Sequence, residues 1–109
     1  MPTITADELD QVRGIALTID QLTDQLTQLS SLESVGACLE LRLAYAVLGD
    51  LAPAPPPAAG RQQPLPRQDI VDALAGIALQ LQTLPSPLRL EDAVMTADTA
   101  VRAARQYLL

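Results

Sequence analysis

An all-α fold is predicted by three features of the chain. Apolar residues recur every three to four positions over long stretches, aromatic residues are almost missing, and prolines gather where the periodic stretches stop. Of the 109 residues, 49% are hydrophobic but only 2% aromatic, with neither Trp nor Phe. A core of this composition is filled by Leu, Val, Ile and Ala, which suit interlocking helices, and the period-two alternation that marks strands is missing. The length supports one domain spanning 1–109, able to bury about two thirds of its unfolded surface. The expected architecture is a four-helix bundle with a Pro-rich linker between the second and third helices, completed by dimerisation.

The first helix is expected over about 5–29. Thr5 followed by Glu8 fits a capping box, and Asp7, Glu8 and Asp10 set negative charge against the free amides of the first turn. Leu9, Val12, Ile15, Ala16, Ile19, Leu22, Leu26 and Leu29 then follow at helical spacing. Asp10, Gln11, Thr18, Gln21, Gln25 and Gln28 lie on the other side, so one face is apolar over its whole length of about 37 Å.

Ser30 with Glu33 fits a second capping box, which predicts a tight turn and a second helix over about 31–51. This helix is apolar on two sides. Leu32, Val35, Leu39, Leu43, Ala46 and Val47 share the broader face, and Ala37, Cys38, Leu41, Tyr45 and Leu48 lie roughly opposite. Glu33 and Glu40 mark one seam between the faces, Arg42 and Gly49 the other. A helix coated on two sides must be covered on two sides. The narrower face, Ala37, Cys38, Leu41, Tyr45 and Leu48, is the expected interface with a second molecule.

Pro53, Pro55, Pro56, Pro57, Pro64 and Pro66 exclude helix from the next stretch, because proline fixes φ and lacks an amide donor. A linker of polyproline character is therefore expected over 53–66, serving as a tether rather than as a ligand for a proline-recognising groove. A third helix over about 67–84 carries Ile70, Leu74, Ile77, Leu81 and Leu84 on one face and stops at Pro85-Ser86-Pro87. A fourth, over about 90–107, carries Leu90, Ala93, Val94, Ala97, Ala100, Val101, Ala104 and Leu108. Its alanines let another backbone come close, and Arg102 and Arg105 complement the dipole at its end.

Chemistry is constrained mainly by what the sequence lacks. There is no His, so Ser-His and Cys-His nucleophile pairs, histidine zinc sites and the Glu-x-x-His pairs of di-iron bundles cannot be built. The five glycines are isolated and form no phosphate loop. Glu33 with Glu40 and Glu91 with Asp98 stand seven apart on their helices, a spacing that solvated seams explain. The formal charge is −6 and the seven basic residues, all Arg, are scattered, which argues against nucleic-acid binding. Cys38 has no partner for an internal disulfide and reads as a small core residue. Glu40 and Arg42 interrupt the longest apolar run, so no membrane span is expected. The first residues carry neither a basic leader nor an apolar segment, and the expected location is the cytoplasm.

No catalytic, cofactor-binding or metal-binding residue is nominated, and no enzymatic activity is expected. The expected function is that of a helical protein-protein interaction module, a homodimer formed through an apolar face of the second helix, with a heterologous protein as another possible partner. The alternative is a bundle that binds a small molecule or acyl chain between its helices. The size and hairpin character resemble the small secreted helical-hairpin proteins of type VII systems, but the Trp-x-Gly turn that defines them is absent, and no family is assigned.

Overall fold

A computed structural model describes residues 5–29, 31–52 and 65–109. Every regular element among the described residues is helical: α1 (Ala6–Thr27), α2 (Leu32–Leu51), α3 (Arg67–Gln82), the short α4 (Ser86–Arg89) and α5 (Asp92–Leu108). Of the expected linker over 53–66, all but Leu65 and Pro66 lies outside the described residues. The four long helices enclose one apolar core. α2 lies between α1 and α5, α5 packs on α2 and α3, and α1 also touches α3.

α1 starts where its cap places it. The Thr5 hydroxyl accepts a hydrogen bond from the Glu8 amide at 3.2 Å. The reciprocal half of the expected capping box is not made, and Glu8 Oε2 is shut away from solvent without a partner. The middle of the apolar stripe holds as read, with Val12, Ile15, Ala16, Ile19, Leu22 and Leu26 all buried, while Leu9 and Leu29 at its two ends are half-buried against the core. Gln25 departs from the expectation that it sits on the polar side, being only 2% exposed. Its Oε1 accepts the Leu65 amide at 2.9 Å, so a side chain near the end of α1 holds the backbone that leads into α3.

The second cap is shifted one residue from the expected Ser30 and Glu33. Ser31 is the N-cap of α2, its hydroxyl accepting from the Ser34 amide at 3.1 Å, while Ser34 Oγ accepts from the Ser31 amide at 3.1 Å. Two serine hydroxyls thereby satisfy each other's orphan donors, the task assigned to Glu33 from the sequence.

α3 buries Ile70, Val71, Leu74, Ile77 and Leu81 and ends at Gln82, with Leu84 buried just beyond it. The Pro85 break does more than stop a helix. Pro85 is the N-cap of α4, a single turn unforeseen from the sequence that drives Leu88 fully into the core. A proline near the first position of a helix loses no bond it would otherwise make, so helix can restart immediately after the break. Leu90, expected on the buried face of the last helix, is instead 73% exposed, because it caps the end of α4 and lies before α5, which begins only at Asp92.

α5 matches its predicted stripe, burying Val94, Ala97, Ala100, Val101, Ala104 and Leu108. Arg67 Nε donates to the Leu108 carbonyl at 2.8 Å, tying the start of α3 to the end of α5 and satisfying an orphan acceptor there. Near the same end, Tyr107 lies over Gly36 of α2. A Cβ placed on Gly36 would stand 2.7 Å from Tyr107 Cε1, inside van der Waals contact, so the ring takes the volume that any other residue would occupy.

Two mid-helix glycines therefore differ in consequence. A Cβ at Gly76 meets nothing within 4 Å, so Gly76→Ala is expected to gain most of the helix-propensity difference, about 0.5–1 kcal/mol. Gly36→Ala should lose that gain by displacing the Tyr107 ring and recover it in a Tyr107→Ala background. Urea unfolding of the four variants checks both statements, and an equal effect of Gly36→Ala in the two backgrounds would contradict the second.

Candidate interaction face

The two apolar sides of α2 are distributed in the opposite sense to the sequence expectation. Of the five residues nominated as the interface, Ala37, Leu41 and Leu48 are fully buried in the subunit's own core, Cys38 is 8% exposed, and Tyr45 packs against the core half-buried. The broader face is the open one. Leu32, Val35, Leu39 and Leu43 are 89%, 56%, 61% and 47% exposed. They form one ridge along the outside of α2, with Ala46 exposed and Val47 half-buried beyond them.

Steric fit decides this orientation. The inward side of α2 carries Ala37 and Ala44 between larger residues, and the side of α5 turned into the core carries Ala97, Ala100 and Ala104. Small residues on both helices permit a close axial approach, whereas the Leu and Val of the broader face would hold the helices apart. Apolar area alone, the signal used in reading the sequence, favours burying the broader face, which is the side left outside. The alanine spacing on α2 and α5 was the available signal for which side turns inward.

An open groove runs along each side of the ridge. On the α1 side, Leu26, Thr27, Ser34, Val35, Cys38, Leu39 and Arg42 line a cleft of about 280 Å³. On the α5 side, Glu40, Leu43, Asp92, Met95, Thr96, Thr99 and Ala100 line one of about 520 Å³. Met95 is 56% exposed and extends the apolar surface from α2 onto α5. The ridge thus stands between one groove bearing a guanidinium and another bearing two carboxylates.

Cys38, the one thiol of the chain, lines the groove against α1, and its surroundings quiet it. Burial pushes the thiol up from its ordinary value of 9.0; Arg42 opposes that shift and Asp24 adds to it. Sγ lies 3.6 Å from the Thr23 carbonyl of α1, to which the thiol donates. A protonated, enclosed thiol is a packing residue rather than a reactive one. No group of His, Cys, Asp or Glu among the described residues could hold a metal ion. Among the described residues, no helix is long and apolar enough to cross a membrane.

No protein-family model matches this chain, and no curated protein or solved structure matches it.

α1 itself carries a pH-sensitive carboxylate. Burial, and then the negative charge of Asp24 one turn on, raise the Asp20 carboxyl above 3.8. The folded chain consequently holds this proton more tightly than the unfolded chain. The stabilisation is present in acid and is lost as pH rises from about 3.8 through the raised value. At neutral pH the ionised Asp20 is a liability. Asp20→Asn should therefore be more stable than the parent at pH 7, with the difference closing below about pH 3.8. Urea titrations at several pH values measure this, and a difference independent of pH would contradict it.

Proposed function

We propose that this chain is a non-enzymatic helical interaction module, a four-helix bundle that associates with a second copy of itself through the outer ridge of α2. The observation that carries the reading is the row Leu32, Val35, Leu39 and Leu43, four large aliphatic side chains facing outward from one helix. Scattered exposed leucines are ordinary on a protein surface, but a contiguous apolar row continued by Met95 on the next helix is the mark of a contact surface. Burying it yields about 25 cal/mol for each Å² of apolar surface removed from water.

The size of the face suits this role. α2 is about 30 Å long, and with the near sides of its two neighbours the surface is roughly 25 Å wide. That area approaches the ~800 Å² per partner of a standard interface. The same observations weigh against the acyl-chain alternative. The clefts beside α2 are open grooves of a shape that accepts side chains from a facing ridge, whereas an apolar small-molecule site encloses most of its ligand.

Sedimentation equilibrium is the test. The expected mass is twice 11.6 kDa for the parent chain. Leu39→Asp should sediment as a monomer with unchanged helical circular dichroism, since residue 39 is exposed in the subunit. Leu41→Asp should instead unfold the chain, because it puts a carboxylate at a fully buried position. A monomeric parent at high micromolar concentration would refute the proposal.

A further inference from the structure

We propose that the two copies meet with their α2 helices parallel, related by a two-fold axis running alongside them, with Arg42 of each subunit facing Glu40 of the other. This rests on the self-association proposed above and adds to it an orientation and a pair of specifying charges.

Two charges on α2, Glu40 and Arg42, are left without a hydrogen-bond or ion-pair partner among the described residues, although Arg42 lies close enough to Cys38 to act on its thiol. They are two residues apart on one helix, a spacing that does not bring side chains together. They lie instead on opposite sides of the ridge: Arg42 in the groove against α1, and Glu40 with Asp92 in the groove against α5.

Symmetry turns this placement into a choice. A two-fold axis perpendicular to α2 makes the helices antiparallel and sets each flank against its own copy. Glu40 and Asp92 would then face the same two carboxylates, and the Arg42 flanks would face each other. A two-fold axis parallel to α2 exchanges the flanks, so the Arg42 side of each subunit meets the carboxylate side of the other. Residues 40 and 42 differ in height by only about 3 Å along the helix, well within the reach of an arginine. Two identical cross-pairs therefore close at once, one on each side of the leucine ridge, in the manner of the flanking charges that set orientation in coiled coils. An unrelated partner would have no reason to supply this self-complementary arrangement.

Two sets of variants test the orientation. In the first, Arg42→Glu and Glu40→Arg are made singly and together, and the dimer dissociation constant is measured by sedimentation at low salt. Each single change should weaken the dimer by roughly tenfold, and the double change should return it to near the parent value. In the second, Leu32→Cys and Ala46→Cys are placed at opposite ends of the exposed face and treated with a mild oxidant, with the parent chain and its buried Cys38 as control. Parallel helices predict that each variant forms a disulfide-linked dimer on its own. Cross-linking only when the two variants are mixed would establish an antiparallel pair and overturn the inference while leaving self-association intact. A parallel dimer indifferent to the charge exchanges would also overturn it, by removing the proposed role of Arg42 and Glu40. A parent chain that stays monomeric would sink the underlying self-association instead, and a stable complex with a different protein through this face would assign the ridge to that partner.

Discussion

The architecture depends on how closely α2 and α5 can approach. With two aromatic residues in the chain, both Tyr, there are no large rings to fill space, and density in the core has to come from proximity of backbones. Ala97, Ala100 and Ala104 on α5 and Ala37 and Ala44 on α2 supply it. Once the small-residue side of α2 is committed inward, the Leu and Val of its other side have only the outside left to them. The exposed ridge thus follows from how the interior is packed.

The remaining contacts hold that arrangement at the places where the chain turns. Ser31 and Ser34 satisfy each other at the start of α2, Gln25 holds the strand of backbone before α3, and Arg67 closes the end of α5. Leu88, on the single turn after Pro85, is fully buried, and that turn packs against α5. Each of these is a polar or steric tie added to a core that is otherwise uniformly aliphatic. They supply specificity of position, which leucine and alanine packing alone specifies poorly.

The helices themselves were legible because their signals are local. The Thr5 cap, the spacing from Val12 to Leu26 and the alanine stripe of α5 each depend on residues within a few turns of one another. The inward side of α2 was not legible in the same way, since the choice between a broader and a narrower apolar face depends on the shapes of the helices they meet and not on their extent. The same limit explains Gln25, whose partner is an amide forty positions away. It also explains Leu90, which fell in phase with α5 until a short turn changed where that helix begins. Glu40 and Arg42 were recognised as charges in an apolar setting, but their placement in separate grooves needed the packing of α1 and α5 around α2.

The described residues present a quiet thiol and a row of aliphatic side chains between two grooves, the features from which the self-association proposed above is argued. The most direct test of this view is the thermal midpoint as a function of protein concentration. If the ridge of α2 is covered by a second copy in the native state, association stabilises the folded chain by mass action and the midpoint climbs steadily as concentration rises about a hundredfold. A midpoint that stays fixed across that range would contradict it, and would mean that the folded subunit is complete with its leucines in water.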